Sequence, residues 1–400
     1  MRQVYVDEWL STFGDDTFRR LRLNSPATGG WFPALRDLSW CITEYNFPYV
    51  DLFFSPYLEK VSIHMSSAWM NSEIPHDILP AIISTISAIP GPTLQRLLVS
   101  TQYRMVSWED FKESLSSVVL RCGPSLTELT SPIPLSDAAV DHLIHLPHLH
   151  VWRIKNPPPS YSCSPLPLVF PPLTDLTLEE SAYEWLFLLG RLEERATATR
   201  GVTPLHRVKG SLVALSIFGL SSPMTDSSFA SPIRVFRNLS HLDVGVFCHD
   251  EGGEGQCIFK LDNNNVTKLA MALPQLEYIQ LGHPCFENSC ATTVACLLPI
   301  SVYCVELQSL GIHFNTTTII EDLKNISKDS KFQELRSLPR CRLSCLDVFA
   351  MPLTLDESGF TTVADGMIDI FPSLELCEGH RDVWNEVSEN LRHVDALARQ

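Results

Sequence analysis

The sequence predicts an α/β fold, an irregular solenoid in which short parallel strands alternate with helices along one array. A nonapeptide recurs along the chain, as in FPALRDLSW at 32–40, LPHLHVWRI at 146–154 and LPQLEYIQL at 273–281. Proline precedes many of these copies, and segments with helical periodicity separate them. No single copy can bury its apolar face alone, so consecutive copies are expected to stack on one another.

The repeat has leucine or phenylalanine at position i and apolar residues at i+3 and i+5. The thirteen leading positions are Phe18, Leu35, Leu58, Leu94, Leu126, Leu149, Leu173, Leu212, Leu239, Leu276, Leu307, Leu343 and Leu374. Two copies are degenerate: Ser131 stands at i+5 after Leu126, and Cys377 and Gly379 follow Leu374. Residues i+3 and i+5 face the same side of a strand, so they are predicted to point into the core.

Proline stands two residues before the leading leucine at eight of the thirteen sites, whereas 28 prolines in 400 residues predict about one by chance. These prolines are Pro33, Pro56, Pro92, Pro124, Pro147, Pro171, Pro274 and Pro372. Proline cannot continue a helix, and it favours an extended conformation in the residue before it. Each proline is therefore expected to end one helix before the next strand begins.

Helices are predicted between the strands where apolar residues recur at helical spacing, at 77–89, 137–146, 183–196, 263–273 and 318–338. The repeats follow one another at a mean spacing of about 30 residues, which is typical of leucine-rich repeats. The predicted fold is thus an irregular leucine-rich-repeat solenoid, with parallel strands on the concave face and helices on the convex face.

The FPxLxxLxL motif, the LSDAAVDHLIHLPHLHVWRI run at 135–154 and the irregular repeat lengths resemble the leucine-rich-repeat region of F-box proteins, of the type abundant in mushroom-forming fungi. In that family the F-box binds a Skp-type adaptor of a cullin ubiquitin ligase, and the repeats hold the substrate. The resemblance implies a substrate receptor, or a relic of one, with a Skp-type adaptor as partner if an F-box lies upstream. No F-box pattern is recognisable in residues 1–17.

Three regions are expected along the chain. Residues 1–17 form an N-terminal cap segment and residues 18–379 form the repeat array. Residues 380–400 form a capping helix, because their apolar side chains fall on one helical stripe.

The charge balance argues against nucleic acid and anionic membranes as partners, because 46 acidic and 30 basic residues leave a formal charge of −16. The opening MRQVYVDEWLSTFGDD lacks the apolar run of a secretory signal, which favours a cytoplasmic or nuclear location. Residues 288–305 carry no formal charge. Their Asn, Ser, Thr and Pro content predicts a buried helix rather than a membrane span.

No pattern of a catalytic or cofactor site is recognisable, because the sequence lacks GxGxxG, a Walker loop, GxSxG and HExxH. The histidines at 142, 145, 148 and 150 lack further ligands at metal-binding spacing, and Cys285/Cys290 and Cys341/Cys345 lack CxxC spacing. A non-enzymatic chain without cofactor or metal is therefore expected. The alternatives are a ligase-independent scaffold or adaptor, and a hydrolase whose site lies in an insertion.

The side chains expected to bind a partner protein stand at i+2, i+4 and i+6, which point outward on the concave strand face. They are Lys60, His64, Arg96, Arg153, Lys155, Asp175, Glu179, His241, Asp243, Tyr278, Gln280, His313, Asp347 and Phe349. Basic residues gather in the first half of this set, and acidic or aromatic residues in the second. Arg96, Arg153 and Lys155 are predicted to form a basic patch that attracts an acidic partner.

Overall fold

The fold is described by a computed structural model with side chains. It describes residues 2–6, 15–24, 31–42, 46–65, 79–101, 109–154, 172–179, 211–220, 225, 229–230, 233–246, 260–282, 291–328, 330–336, 338–348, 357–379 and 387. The chain divides into two compact units, residues 1–178 and 179–400, and each is described by itself.

The first unit is built on a parallel sheet. Its described strands are β1 Gln3–Val6, β2 Asp37–Ile42, β3 Lys60–Met65, β4 Arg96–Thr101, β5 Glu128–Ser131, β6 Val151–Ile154 and β7 Asp175–Glu179, the last of which crosses the unit boundary. Its described helices are α1 Asp15–Leu23, α2 Leu79–Ser87, α3 Glu109–Arg121 and α4 Asp137–Ile144, with a 3₁₀ helix at Phe47–Phe53.

The second unit repeats this plan. Its described strands are β8 Ala214–Leu220, β9 His241–Val246, β10 Tyr278–Leu281, β11 Ser309–Ile312, β12 Cys345–Val348 and β13 Leu376–Gly379. Its described helices are α5 Asn263–Ala272, α6 Leu297–Tyr303, α7 Ile319–Lys328, α8 Ser330–Arg336 and α9 Glu357–Ile370, with a 3₁₀ helix at Val294–Cys296 before α6.

Strands that follow one another in the chain lie side by side in each unit and run parallel. Their registers align equivalent repeat positions, as where Ile279 pairs with Leu242 on one side and with Leu310 on the other. A parallel neighbour requires a crossover connection, and in the described ranges helices such as α3 and α5 lie in these connections. The predicted α/β leucine-rich-repeat solenoid is confirmed.

The core consists of the positions that the repeat predicts. All thirteen leading residues are at most 7% exposed, and side chains at i+3 and i+5 such as Leu242 and Val244 are fully buried. The degenerate repeats still form strands. In β5 the buried Ser131 hydroxyl accepts a hydrogen bond of 2.9 Å from the Ile133 N–H, which satisfies a polar group at an otherwise apolar position.

The recurrent proline occupies a tight turn. The N–H of the leading leucine donates to the carbonyl of residue i−3, as in Leu58 to Ser55 (3.1 Å), Leu94 to Gly91 (3.1 Å) and Leu276 to Leu273 (3.3 Å). Proline at i−2 is then the second residue of a β-turn, a position that its fixed φ favours. The proline therefore shapes the turn into each strand as well as ending the preceding helix.

A ladder of shared carbonyls joins successive repeats ahead of the sheet. In most neighbouring pairs, the N–H groups at i+1 and i+2 both donate to the carbonyl at i+1 of the preceding repeat, as when Glu59 and Lys60 donate to the Arg36 carbonyl at 2.8 and 2.9 Å. Side-chain hydroxyls reinforce the same carbonyls at Thr127, Thr174, Ser240 and Ser344. These bonds set the register before the strands begin.

Side chains from adjacent repeats satisfy carbonyls at helix C-termini. Arg121 donates to the Ile89 carbonyl beyond α2 (3.0 Å), His142 to the Cys122 carbonyl beyond α3 (2.9 Å), and Arg340 to the Ile370 carbonyl of α9 (3.3 Å). The Cys304 thiol lies 3.8 Å from the Ala270 carbonyl at the end of α5. Terminal carbonyls have no partner within their own helix, so these contacts couple each helix to its neighbour.

The structure differs from the predicted pattern in two places. Phe18 leads no strand, because it lies in α1, and the strand that precedes β2 in the sheet is Gln3–Val6, inside the segment assigned to the N-terminal cap. The predicted helix over 318–338 is two helices, Ile319–Lys328 and Ser330–Arg336. The apolar spacing continues through both helices, so periodicity alone cannot reveal the break.

Several expectations lie wholly or partly outside the described residues. The predicted helix at 183–196 is among them, and of the predicted capping helix at 380–400 only Val387 is described, as a buried residue. The uncharged stretch around 288–305 contains α6, whose Leu297, Ile300 and Ser301 are buried as expected. None of the helices in the described ranges combines the length and apolar character that crossing a bilayer requires.

Gly91→Ala is expected to destabilise the fold by about 1–3 kcal/mol through a backbone clash. A Cβ at Gly91 would stand 2.7 Å from the carbonyl carbon and oxygen of Arg121, which cannot rotate away as a side chain can. Gly123 holds the equivalent position in the next repeat, where a Cβ would stand 3.0 Å from the Pro92 oxygen. Urea unfolding of both alanine variants should show the larger loss for Gly91→Ala; equal losses would contradict this account.

Candidate functional site

The candidate site is the outward face of the strands. In β2, β5, β10 and β12 buried residues alternate with half-buried ones, so one side of each strand is covered and the other meets solvent. Because the strands are in register, the outward residues at i+2 and i+4 form two rows that run across each unit. The two rows of the first unit together are named the first-unit strand face, and those of the second unit are named the second-unit strand face.

The first-unit strand face pairs its arginines with acids. Arg96 Nε lies 2.6 Å from Glu128 Oε2 on the adjacent strand, and Arg153 forms an ion pair with Asp175. The Asp175 carboxylate, through a hydrogen bond and its charge, and the more remote Glu128 charge together raise the pKa of Arg153 despite its partial burial. Arg96 and Arg153 are thus already paired with acids, and Lys155 lies outside the described residues, so the basic patch stays a prediction.

Two other predicted residues stand on β3, Lys60 at i+2 on this face and His64 at i+6 beyond the two rows. Lys60 and His64 are half-buried on β3, and His64 Nδ1 is 2.6 Å from the Ser100 hydroxyl on β4. Burial lowers the pKa of His64, which favours its neutral form. His64 thus contributes a neutral hydrogen-bonding group rather than a positive charge at neutral pH.

The second-unit strand face brings together aromatic and acidic side chains. The rings of His241 on β9 and Tyr278 on β10 stack with centroids 6.2 Å apart and an interplanar angle of 22°. The Tyr278 hydroxyl donates a short hydrogen bond to Gln280 Oε1, which holds the ring in place. Asp243 and Asp347 stand in the row that contains Gln280.

Burial dominates the electrostatics of this face. It raises the pKa of Asp243, whose Oδ1 is buried and accepts no hydrogen bond within the described chain. Burial also raises the pKa of Tyr278, and the negative charges of Asp243 and Asp347 raise it further, followed by a contribution from Cys345. Both carboxylates therefore act on the same phenol, although they stand on opposite sides of it.

The structure corrects one predicted site residue and leaves others untested. His313 is only 1% exposed, whereas position i+6 was expected to face outward. Strand β11 ends at Ile312, so the alternation of a strand no longer places residue 313. Lys155 and Phe349 lie outside the described residues, and Glu179 is described only through its backbone.

Among the residues that sequence reasoning missed on the strand faces are Glu128 and Cys345. Glu128, the partner of Arg96, stands at i+2 of the repeat led by Leu126, and that repeat is degenerate. Cys345 stands at i+2 of the repeat led by Leu343, but was considered only as half of a cysteine pair. Position i+2 was the signal that could have found both.

Buried thiols and backbone-bound histidines account for other candidate groups. Burial raises the pKa values of Cys122 and Cys304 to about 12 and that of Cys341 to about 11, so these thiols stay protonated at neutral pH and are poor nucleophiles. His142 and His145 donate to different backbone carbonyls. No cluster of potential metal ligands occurs among the residues that the structure describes.

A groove of about 600 Å³ in the second unit is lined by the end of α9 and by the segment around Arg340 and Cys341. Its basic group is already engaged, because the Arg340 guanidinium donates to the carbonyls of Asp369 and Ile370 at that helix end. The groove is thus part of a helix cap, and the strand faces remain the stronger candidate site.

Comparisons with known proteins found a structural similarity but no match in sequence. No protein-family model matches it, and no curated protein does. Among solved structures, a yeast crystal structure of the Rad7 and Elc1 complex is similar at 14% sequence identity and a TM-score of 0.36, with 91% of this chain and 81% of that chain covered.

Asp243→Asn is expected to raise the free energy of unfolding at pH 7, by less than about 1 kcal/mol because the carboxylate is only half-buried. The folded pKa of Asp243 lies above its ordinary value of 3.8, so its contribution to stability is lost as pH rises through the folded value. The asparagine side chain does not ionise, so Asp243→Asn avoids that loss of stability. Thermal unfolding at several pH values should show the advantage shrinking as pH falls towards 3.8, and an advantage independent of pH would contradict the assignment.

Proposed function

We propose that this chain is a non-catalytic protein-binding module that holds its partner on the strand faces. One observation carries the proposal: polar, charged and aromatic side chains stand in register on the outward side of consecutive parallel strands. At about 4.8 Å per strand, the seven strands of the first unit alone present a face about 30 Å wide, enough for a protein interface of standard size.

We further propose that the partner is a substrate and that the chain acts in a cullin-type ubiquitin ligase, in the cytoplasm or nucleus. The resemblance of its repeats to those of F-box proteins supports this role. A Skp-type adaptor would then bind through an F-box upstream of the repeats. A ligase-independent scaffold would use the same faces, so the two roles differ in whether the chain also binds the ligase components.

Site-specific photo-crosslinking in cells tests whether the strand faces bind protein. The crosslinking amino acid replaces Ser62 on the first-unit strand face or Ser309 on the second-unit strand face, both half-buried. Matched controls replace Leu120 on α3 or Met271 on α5, which are 46% and 56% exposed on the helices. We expect specific protein adducts from at least one strand position and none from the controls; the reverse pattern would overturn the proposal.

The same cells test the ligase role. Immunoprecipitates of the chain are probed for the Skp-type adaptor and the cullin, and the abundance of the crosslinked protein is followed after depletion of the chain. We expect both ligase components in the precipitate and accumulation of the crosslinked protein. Strand-face adducts without either component would support the scaffold role instead.

A further inference from the structure

A thiol, an imidazole and a hydroxyl stand side by side on the first unit, beyond the two rows of its strand face. They belong to residues at i+6 of three consecutive repeats: Cys41 on β2, His64 on β3 and Ser100 on β4. All three residues are half-buried and in register. Neighbouring members of the set are therefore separated by about 4.8 Å, the spacing of adjacent strands.

The hydroxyl orients the imidazole. His64 Nδ1 lies 2.6 Å from Ser100 Oγ, which turns that edge of the ring toward β4. The opposite edge of the ring, which carries Nε2, therefore lies on the side of β2, where Cys41 stands in register. When Nδ1–H donates to the Ser100 hydroxyl, Nε2 has a lone pair that can accept a proton. This tautomer places a base beside the thiol.

The thiol is carried by a well-anchored part of the chain. Asn46 is only 1% exposed, and its Nδ2 donates to the Cys41 carbonyl at 2.8 Å. The Asn46 Oδ1 accepts a hydrogen bond of 3.2 Å from the indole N–H of Trp40, which is fully buried. These two bonds fix the end of β2 and hence the position of Cys41 next to His64.

Exposure separates Cys41 from most of the other described cysteines. Cys41 and Cys345 are half-buried, and the remaining described cysteines are buried. Cys345 stands at i+2 of β12, where its neighbours in register are Ser309 and Leu376. It thus resembles Cys41 in exposure but has no imidazole beside it in register. Cys345 is a matched control within the same chain.

We propose that Cys41 is a modification site: its thiol, deprotonated by His64, forms a mixed disulfide with a low-molecular-weight disulfide such as glutathione disulfide. This inference goes beyond the proposed function and does not depend on it. The Cys41 proton passes to His64, and the thiolate attacks one sulfur of the disulfide. A new S–S bond joins Cys41 to one glutathione, the original S–S bond breaks, and the released thiolate takes the proton from His64. One thiol and one disulfide are consumed and one of each is formed, so the exchange needs no further oxidant.

Uncharged surroundings on the neighbouring strands suit His64 to this role. Burial lowers the pKa of His64, so its imidazole is neutral and able to accept a proton at pH 7. Within β2 to β4, the positions at i+4 and i+6 around it carry no formal charge: Ser39, Cys41, Ser62, Leu98 and Ser100. The charged residues of these strands stand at i+2, four residues away along each strand: Asp37, Lys60 and Arg96.

Reaction with glutathione disulfide tests the proposal on the full chain. The reduced protein is incubated with glutathione disulfide at pH 7 and quenched with acid at intervals, and peptide mass spectrometry measures the adduct at each cysteine. We expect Cys41 to be modified about tenfold faster than Cys345, because only Cys41 has a base in register. An equal or higher rate at Cys345, or no adduct at Cys41, would overturn the proposal.

His64→Asn tests the contribution of the imidazole. The Asn Nδ2 can still donate to Ser100, but the side chain has no group that takes up the thiol proton. We expect the Cys41 rate at pH 7 to fall about tenfold. The control is His145→Asn, which removes a histidine whose Nδ1 lies 2.6 Å from the Asp141 carbonyl, and it should change the rate by less than about twofold. Thermal unfolding of both variants verifies the fold, and an unchanged Cys41 rate in His64→Asn would contradict the proposal.

The pH dependence of the rate distinguishes a base from a purely structural role. In the unmodified sequence the Cys41 rate should stay nearly constant from about pH 8 down to the pKa of His64, which lies below its ordinary value of 6.5, because neutral imidazole is present throughout. In His64→Asn the rate should fall about tenfold per pH unit below the ordinary thiol pKa of about 8.5. Parallel profiles for the two proteins would show that His64 only shapes the surface, and would overturn its assignment as the base.

Discussion

Trp40→Ala is expected to lower the free energy of unfolding by about 3–5 kcal/mol, among the largest effects of any single substitution in the first unit. Trp40 on β2 has no exposed surface, and its ring packs against Phe53 and Phe18 with centroids 4.8 and 5.8 Å away. Its indole N–H donates to Asn46 Oδ1 at 3.2 Å. Alanine leaves a cavity and removes the donor at once.

Two further variants test whether the lost stability comes from the buried ring and its hydrogen bond. Trp40→Phe keeps an aromatic ring but removes the donor, so it should cost less than alanine. Tyr5→Ala on β1 removes an aromatic side chain that is 62% exposed, and should change stability by less than about 1 kcal/mol. Urea unfolding measures all three, and a loss at Tyr5 as large as that at Trp40 would contradict the packing account.

Leu242→Ala is expected to cost about 2–5 kcal/mol and to loosen the second unit first. Leu242 is fully buried at i+3 of β9, and in register it lies between Leu215 of β8 and Ile279 of β10. Because each repeat packs chiefly on its neighbours, the cavity should weaken β8 to β10 before more distant strands.

Hydrogen exchange resolves where the protection is lost. Amides of β8, β9 and β10 should exchange faster in Leu242→Ala, while those of β2 to β4 change less. Val213→Ala is the matched control, since Val213 precedes β8 and is 42% exposed. A uniform rise in exchange along the whole chain would show that the array unfolds as one cooperative block and would contradict the prediction.

The repeat pattern was a good guide to the core because it depends on local chemistry. Alternation places i+3 and i+5 on one side of a strand, and Leu242, Val244 and Ile279 are buried accordingly. The same logic explains the miss at Phe18, which satisfies the apolar spacing but lies in a helix. The residues at i and i+3 lie one helix turn apart and fit a helix as well as a strand, and no proline precedes this copy to decide between the two.

The strand face was predicted less well because its properties depend on neighbours. Outward positions followed from alternation, but whether Arg96 and Arg153 remain available to a partner depended on acids in the adjacent repeats. His313 shows the second difficulty: i+6 is outward on the longer β3 and β4, where His64 meets Ser100, but not beyond the four-residue β11. Strand length depends on pairing with neighbours, which the repeat motif does not encode.

The sequence by itself determined that the chain stacks short parallel strands, which residues of each repeat point inward, and where each turn begins. These properties follow from spacing within about ten residues and from the fixed φ of proline. Only the tertiary structure decided the character of the two faces. The ion pair of Arg153 with Asp175 and the stack of His241 on Tyr278 join residues of different repeats, 22 and more positions apart. Contacts over such distances arise only when parallel strands bring distant repeats into register.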